Sequence, residues 1–338
     1  MKRIGNLFSK ITESDNIRLG FQLARKGKRW QDTIKIFEMR VEENIERIRM
    51  SLIDKTFTTS KYETFVIYEP KRRVIYKLPF DPDRIVQHAL MNIIEPIWES
   101  FFIDDSYACR KGKGIHAGSR RTMEFIRKVG KNGYCLKMDV SKFYPSIKHD
   151  ILFDLIKHKI KCKDTLELFR DIVYSVPDGY NVPVGNYTSQ WLGNLYLNEL
   201  DQFVKQKLKC KMYIRYCDDF IIFHTNKTYL QDAANDVTSF LSSELDLKLS
   251  KKRIFPITQG VDFLGYRHFR DHILLRKCSA TRIKRRLKIL PDIFDRSVIN
   301  KDQLRSSLAS TAGWLMWCNS FNFVKSLNLP KLEDLCHV

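Results

Sequence analysis

The stretch Tyr213-Ile214-Arg215-Tyr216-Cys217-Asp218-Asp219-Phe220-Ile221-Ile222-Phe223 constrains this chain more than any other. Two strongly β-prone runs enclose a pair of adjacent aspartates, and a chain that reverses between such runs forms a hairpin. The aspartates fall where the hairpin turns, so at least one of them leaves the sheet and faces a cleft. Adjacent carboxylates repel, and holding them between apolar strands costs free energy unless a cation neutralises them. Mg²⁺ suits such a place, because it is held by one or two carboxylates, waters and substrate phosphates rather than by a full protein cage. An Asp-containing turn is also an ordinary turn, and the pair alone does not separate the two readings.

A second segment narrows the choice. Tyr134-Cys135-Leu136-Lys137-Met138-Asp139-Val140-Ser141-Lys142-Phe143-Tyr144-Pro145-Ser146-Ile147 reads as a strand that ends in a carboxylate and runs into an aromatic turn. Three carboxylates from two strands are what two-metal phosphoryl transfer requires, with ions about 3.5–4 Å apart serving the attacking oxygen and the leaving pyrophosphate. A solvated strand-end Asp beside a buried aromatic pair is the plainer alternative.

Charge supplies the substrate class. The 338 residues carry 59 Lys+Arg against 39 Asp+Glu, a formal net charge of +20. Apolar residues make up 43%, enough for a core in roughly two domains' worth of chain. A folded chain so basic predicts a polyanionic partner: nucleic acid first, an acidic membrane surface second. The start, Met1-Lys2-Arg3-Ile4-Gly5-Asn6-Leu7-Phe8-Ser9-Lys10, lacks the apolar run of a signal peptide, and nowhere do about 18 apolar residues run together. Neither export nor a membrane partner is expected. The eight cysteines show no CxxC spacing, which argues for reduced thiols and a cytoplasmic compartment rather than zinc or disulfides.

Periodicity outlines the rest. Residues 1–60 read as helical, with Ile34, Phe37, Val41, Ile45 and Ile48 in one stripe. Strand–turn–strand follows from Phe65 to Phe80, then a helix over 83–100 whose Pro96 should bend or break its last turn. Helices are expected over 116–129, 148–176, 188–208 and 228–245, strands over 134–140 and 254–276, and a hairpin over 212–224. From Thr281 to Leu327 the chain is helical again, opening on the basic run Arg282, Lys284, Arg285, Arg286, Lys288. Helices and short strands followed by terminal helices imply an α+β core carrying a helical C-terminal domain.

These residues carry a resemblance. Tyr216-Cys217-Asp218-Asp219 resembles the YxDD box of reverse transcriptases, and Asp139-Val140 with Phe143-Tyr144 resembles their first palm carboxylate motif. Glu69-Pro70-Lys71-Arg72-Arg73 with Asp83-Arg84-Ile85-Val86-Gln87-His88-Ala89-Leu90 resembles the fingers motifs. Leu247-Lys248-Leu249-Ser250 resembles the motif after the YxDD hairpin, and Phe263-Leu264-Gly265-Tyr266 the primer grip. The segments occur in the family's order over about residues 60–325. The resemblance implies a right-hand polymerase. It would have a helical N-terminal extension at 1–60, fingers at 61–133 with part of 148–180, a palm at 134–276 with an antiparallel sheet and YxDD hairpin, and a helical thumb at 277–338.

One departure is informative. Group II intron and retron enzymes usually carry Gln-Gly at the start of the next palm motif and Ser-Pro at its end. Here Val184-Gly185-Asn186-Tyr187-Thr188-Ser189-Gln190 has Val for the Gln and Gln190 for the Pro. That pattern resembles the reverse transcriptases of diversity-generating retroelements, as do Ser106-Tyr107-Ala108-Cys109-Arg110 and Lys113-Gly114-Ile115-His116-Ala117-Gly118. Such enzymes copy a template-repeat RNA into cDNA with errors opposite adenine, for mutagenic retrohoming.

The resemblance also implies roles. Asp139, Asp218 and Asp219, with the Val140 carbonyl, would hold two Mg²⁺ ions, Mn²⁺ being able to substitute. Lys71 and Arg73 would clamp the triphosphate, and Tyr144 would lie under the sugar of a dNTP and exclude a 2′-hydroxyl. Val184, Gly185 and Gln190 would border the nucleotide, where an aliphatic residue cannot make a glutamine's hydrogen bonds. Phe263, Leu264, Gly265, Tyr266, Arg282, Arg285 and Arg286 would contact primer and template. Each has a plainer reading: an exposed basic turn, a core aromatic, or a packing valine. One of Lys251, Lys252 and Arg253 would protonate the leaving pyrophosphate, and the residues do not single out which. Trp314 and Trp317 read as thumb core. His268 and His272, four apart in a strand-like loop, do not converge on a metal.

Expected partners are template RNA with its cDNA heteroduplex, dNTPs and a small basic helical accessory protein, in a bacterial cell with prophage or phage origin open. Two competitors stand: a group II intron or retron-type enzyme of ordinary fidelity, and a non-catalytic RNA-binding protein on a polymerase scaffold. The end at Val338 leaves no expected room for an appended endonuclease or RNase H domain.

Overall fold

The computed structural model of the protein describes residues 3–68 and 71–327. Glu69 and Pro70 of the expected fingers motif, and residues 328–338 of the expected thumb, lie outside the described residues. Four helices open the chain: α1 (Phe8–Ile11), α2 (Ser14–Ala24), α3 (Asp32–Met39) and α4 (Val41–Ile53). Ile34, Phe37, Ile45 and Ile48 are buried as their spacing predicts. Their stripe nevertheless crosses a break at Arg40, whose φ of −140° and ψ of 55° leave helical space.

Strands β1 (Glu63–Ile67) and β2 (Arg73–Lys77) form an antiparallel hairpin, and α5 (Ile85–Glu99) follows. This helix runs through Pro96 instead of ending there. Trp98, fully buried and stacked on Phe169, holds the last turn in the core and outweighs the missing hydrogen bond. Next come α6 (Ile115–Val129), β3 (Tyr134–Val140), α7 (Phe143–Ser146), α8 (His149–Lys159) and α9 (Lys163–Val173). One helix was expected over 148–176, and it is divided because the N-terminal segment docks at the break. Ile4 N–H donates to Lys159 O at 2.9 Å, and Lys161 N–H donates to Ile4 O at 2.8 Å.

The chain continues through α10 (Tyr187–Gln202), which ends in a π-helical turn, β4 (Tyr213–Tyr216), β5 (Asp219–His224), α11 (Lys227–Leu245) and β6 (Leu249–Pro256). A small antiparallel sheet follows, β7 (Val261–Phe263), β8 (Tyr266–His268) and β9 (Ile273–Leu275). Helices α12 (Lys277–Asp295), α13 (Lys301–Leu315) and α14 (Phe321–Lys325) close the described chain. α12 and α13 share a small core of Leu287, Leu290 and Leu304. That core is separate from the main one, and Arg282, Arg285 and Arg286 are exposed on α12.

The central sheet has the antiparallel order β4-β5-β3-β6. Side chains alternate across it. Leu136, Met138, Phe220 and Ile222 enter the large core on one side, while Cys135, Ile221, Phe223 and Phe255 pack with Phe125, Ile126 and Val129 of α6 on the other. The face under α6 is the one that matters. Lys137 and Asp139 continue the row of Cys135, Asp219 the row of Ile221, and Lys251 and Arg253 the row of Phe255, so all five reach the same face.

Candidate active site

Where that face opens, the register sets the carboxylates. Asp139 is the cross-strand partner of Asp219 on β5 and of Lys251 on β6, and a bulge follows between Asp139 and Val140. Tyr216 pairs with Asp219, so Cys217 and Asp218 alone form the hairpin loop. Cys217 takes φ +52°, a region that favours glycine at the first position of such a loop. Val140 N–H donates to Asp218 O at 3.2 Å, which ties the turn to the end of β3.

Asp218 and Asp219 both feel their burial. Asp219 is pushed up to about 6 by desolvation, with Lys137 opposing and Asp139 adding to the rise. Burial also raises Asp218; Asp139 adds to it, while Arg73 and Lys71 pull it down from the β1–β2 hairpin. Lys137 Nζ lies 3.0 Å from Asp219 Oδ2 and donates to the Asp262 carbonyl at 2.6 Å. Asp219 Oδ1 is buried with no hydrogen-bond partner. The Ser250 hydroxyl donates to Asp139 Oδ2, and to Asp139 O at 3.1 Å. Among the described residues no three His, Cys, Asp or Glu side chains close into a ready-made metal cage. What is present is a set of hard oxygen donors with one orphaned buried atom, which fits an ion completed by substrate oxygens.

A cavity of about 580 Å³ joins these groups; Lys71, Lys137, Asp139, Asp219, Lys251 and Arg276 are among its lining. The structure thus brings Lys71 to the aspartates and places Arg73 within electrostatic reach of Asp218. Of the three candidate proton donors it separates Lys252, which points to the opposite face and donates to Asn235 Oδ1 at 3.2 Å. Lys251 and Arg253 line the cavity.

The Tyr144 ring lies against Gly193 of α10, and its hydroxyl is held well above the usual phenol range by burial. Val182 N–H donates to Tyr144 O at 3.0 Å, which sets the Val184 loop beside it. Val184 O accepts from Tyr76 N–H of β2 at 2.8 Å. Gly185 takes φ +132°, and a Cβ there would come within 2.2 Å of Tyr76 O, so no larger residue fits. Gly185 borders a different cavity, about 960 Å³, between Lys28, Trp30 and Ile36 of the N-terminal region and Phe65 of β1. Gln190 is exposed in the first turn of α10.

Phe263 and Tyr266 are fully buried and Leu264 nearly so. Leu264 and Gly265, at φ +56° and +86°, make the two-residue turn between β7 and β8. A Cβ on Gly265 would meet the Trp314 ring at 2.6 Å. The side chains of this hairpin therefore hold the sheet to the C-terminal helices, and only its backbone faces outward at the turn. Trp317 stacks on His116 and donates to Ser119 Oγ at 3.1 Å.

Residues 69–268 match the family described as reverse transcriptase (RNA-dependent DNA polymerase). The chain belongs to this family. Among relatives of this chain, protein YkfC of Escherichia coli K12 is 24% identical over 57% of this chain and 62% of that protein. Group II intron-encoded protein LtrA of Lactococcus lactis subsp. cremoris is 30% identical over 50% of this chain and 29% of that one. The Escherichia coli retron Ec73 reverse transcriptase is 25% identical over 64% and 72%. The chain thus spans less than two thirds of YkfC and under a third of LtrA. Among solved structures, apo telomerase from Candida tropicalis is similar at a TM-score of 0.47 and 11% identity, over 67% of this chain and 50% of that one. The right-hand polymerase fold follows from the family, and no described helix is long and apolar enough to cross a membrane.

Several residues at this site were not singled out by sequence. Lys137 stands two before Asp139, and strand alternation alone could have placed it on the same face. Arg215 was visible inside the hairpin, but its buried partner Asp201 is on α10, 2.6 Å away with no spacing cue. Asp262, which pairs with Arg276, was equally silent.

Proposed function

We propose that this chain is an RNA-directed DNA polymerase working by two-metal nucleotidyl transfer. The observation that carries this reading is Asp139 opposite Asp219 on a cavity they share with Lys71 and Lys251, with Asp218 in the adjoining turn. Asp139, Asp218 and Asp219, with the Val140 carbonyl, would hold Mg²⁺; Mn²⁺ offers the same charge. When bound, the ions lower the cost of ionising the primer 3′-hydroxyl and of charge on the leaving pyrophosphate. This chain's own residues do the rest. Lys71 and Arg73 hold the triphosphate as cations, Arg73 with a planar fork suited to phosphate. Lys251 hands a proton to the pyrophosphate oxygen. Tyr144 sits under the sugar and discriminates against a 2′-hydroxyl. The exposed Arg282, Arg285 and Arg286 meet the backbone of the RNA–cDNA duplex, and the β7–β8 turn steadies the primer through its main chain.

A pH consequence follows from Asp219. Its carboxyl binds an ion only when ionised, so extension should fall as pH drops below about 6. Ion and proton compete for the same oxygens, so raising Mg²⁺ about tenfold should move this acid limb to lower pH. A limb that ignores Mg²⁺ would count against Asp219 as a ligand.

We infer further that the enzyme is of the diversity-generating type, copying a template-repeat RNA with errors at adenine and working with a small basic accessory protein in a bacterial host. Support comes from Val184 in place of Gln, on a loop fastened to β2, with no side-chain donor to offer the nascent base pair. The relatives favour a second reading, since LtrA is named for a group II intron and the Ec73 enzyme for a retron. Sequencing cDNA made on an RNA with all four bases separates them. Errors concentrated at template adenine support the first reading, and an even, low error rate supports the second. Val184→Gln should cut adenine errors roughly tenfold, the reach of one or two hydrogen bonds; an unchanged spectrum would sink the role of Val184.

A further inference from the structure

The fold brings two of the eight cysteines together at the edge of the carboxylate site. Ser106 forms a parallel bridge with Arg215 of β4. Tyr107 N–H donates to Arg215 O, and Arg215 N–H to Asp105 O, both at 3.0 Å. That register carries residues 108 and 109 past the Cys217-Asp218 turn. Asn194 of α10 fastens the arrangement. Its amide donates to Ala108 O at 2.8 Å, and its oxygen accepts from the same Arg215 guanidinium that reaches the Cys217 carbonyl. Cys109 and Cys217 both sit in left-handed backbone, at φ +56° and +52°. The register and the shared Asn194 and Arg215 anchors thus set Cys109 beside Cys217 at the turn. Cys109 is exposed to solvent and Cys217 is half-buried.

We propose that Cys109 and Cys217 are a modification site: hydrogen peroxide closes them into a disulfide that re-aims the Asp218-bearing turn and reversibly stops synthesis. The exposed Cys109 thiolate attacks one peroxide oxygen, the O–O bond breaks, and the departing hydroxide takes up a proton to leave Cys109 as a sulfenic acid. The Cys217 sulfur then attacks the Cys109 sulfur, the S–O bond breaks, and the hydroxide leaves as water with the Cys217 proton. Two thiols give up two electrons, and one peroxide becomes two waters. The bond draws the sulfurs to about 2.05 Å with a dihedral near 90°. Cys217 must then leave its present seat, and the two-residue loop it opens has no spare residue to absorb the change.

The loss of synthesis rests on the polymerase reading above; the disulfide itself does not. The test takes the full chain, reduced and then exposed to hydrogen peroxide, alkylated and digested, with primer extension on an RNA template run alongside. Mass spectrometry should find the peptides holding Cys109 and Cys217 joined. Extension should fall by at least about tenfold and return with dithiothreitol. Cys109→Ser should extend like the reduced protein and keep extending through peroxide, and Cys217→Ser should give no joined peptide. Peroxide that oxidises Cys109 without joining it to Cys217 overturns the pairing, and a joined peptide with undiminished extension overturns the switch. A reduced protein that extends nothing refutes the polymerase reading instead, and the joined peptide still decides the pairing.

Discussion

Asp218→Asn is expected to reduce primer extension roughly a thousandfold or more, a loss of about 4 kcal/mol of transition-state stabilisation. The substitution keeps size and the two-residue loop, so the hairpin geometry survives. On the proposed reading it removes one of the charges that would hold the ions, and Asp139 and Asp219 would not replace it from within the sheet. RNA affinity should stay within about twofold or tighten slightly, because phosphate contacts by Lys and Arg dominate binding and a nearby negative charge has gone. Extension and a salt titration of RNA binding, on one preparation, check both halves. Extension within tenfold of the parent would remove Asp218 from the machinery, and a parallel loss of RNA binding would mean that the fold had failed.

Arg215→Met is expected to be the most damaging substitution for stability, costing about 3–5 kcal/mol. Arg215 and Asp201 are both fully buried, 2.6 Å apart, and the Tyr213 hydroxyl adds a hydrogen bond to Asp201 Oδ1 at 2.6 Å. Removing the guanidinium leaves the Asp201 charge in the core without its partner. It also frees the Cys217 carbonyl, which Arg215 holds at 3.1 Å, so the Asp218 turn should loosen and extension fall with Tm. Arg215→Met with Asp201→Leu should recover much of the stability, since an apolar pair of similar volume carries no stranded charge. It should recover less of the activity, because the turn carbonyl stays unheld. Denaturant unfolding measures the first effect; a single-variant cost under about 1 kcal/mol would mean that water reaches Asp201.

The carboxylates were legible because strand chemistry is local: β-prone runs around Asp218-Asp219, and a strand ending in Asp139, need only short-range propensity. The basic residues were less so. Lys251, Lys252 and Arg253 are indistinguishable in a row of charges until β6 is registered against β3, and alternation then sends Lys252 towards α11. The division of 148–176 was hidden for a related reason: the Ile4 bridge is a tertiary contact that overrides local signals. The buried side chains of Phe263, Leu264 and Tyr266 were hidden too, because an apolar motif reads alike whether it faces a primer or a helix.

By itself, then, the sequence determined the kind of chemistry. Three aspartates between β-prone segments, an excess of twenty positive charges and ordered polymerase-like motifs point to the reverse transcriptase family, from which the proposed nucleotidyl transfer follows. Which charges meet was decided by the tertiary structure: Lys137 with Asp219, Arg215 with Asp201, Lys71 of the β1–β2 hairpin with Asp139 and Asp219, and Cys109 beside Cys217. Propensity acts over a few residues, whereas these pairs depend on strand register and helix packing, which the whole core fixes at once.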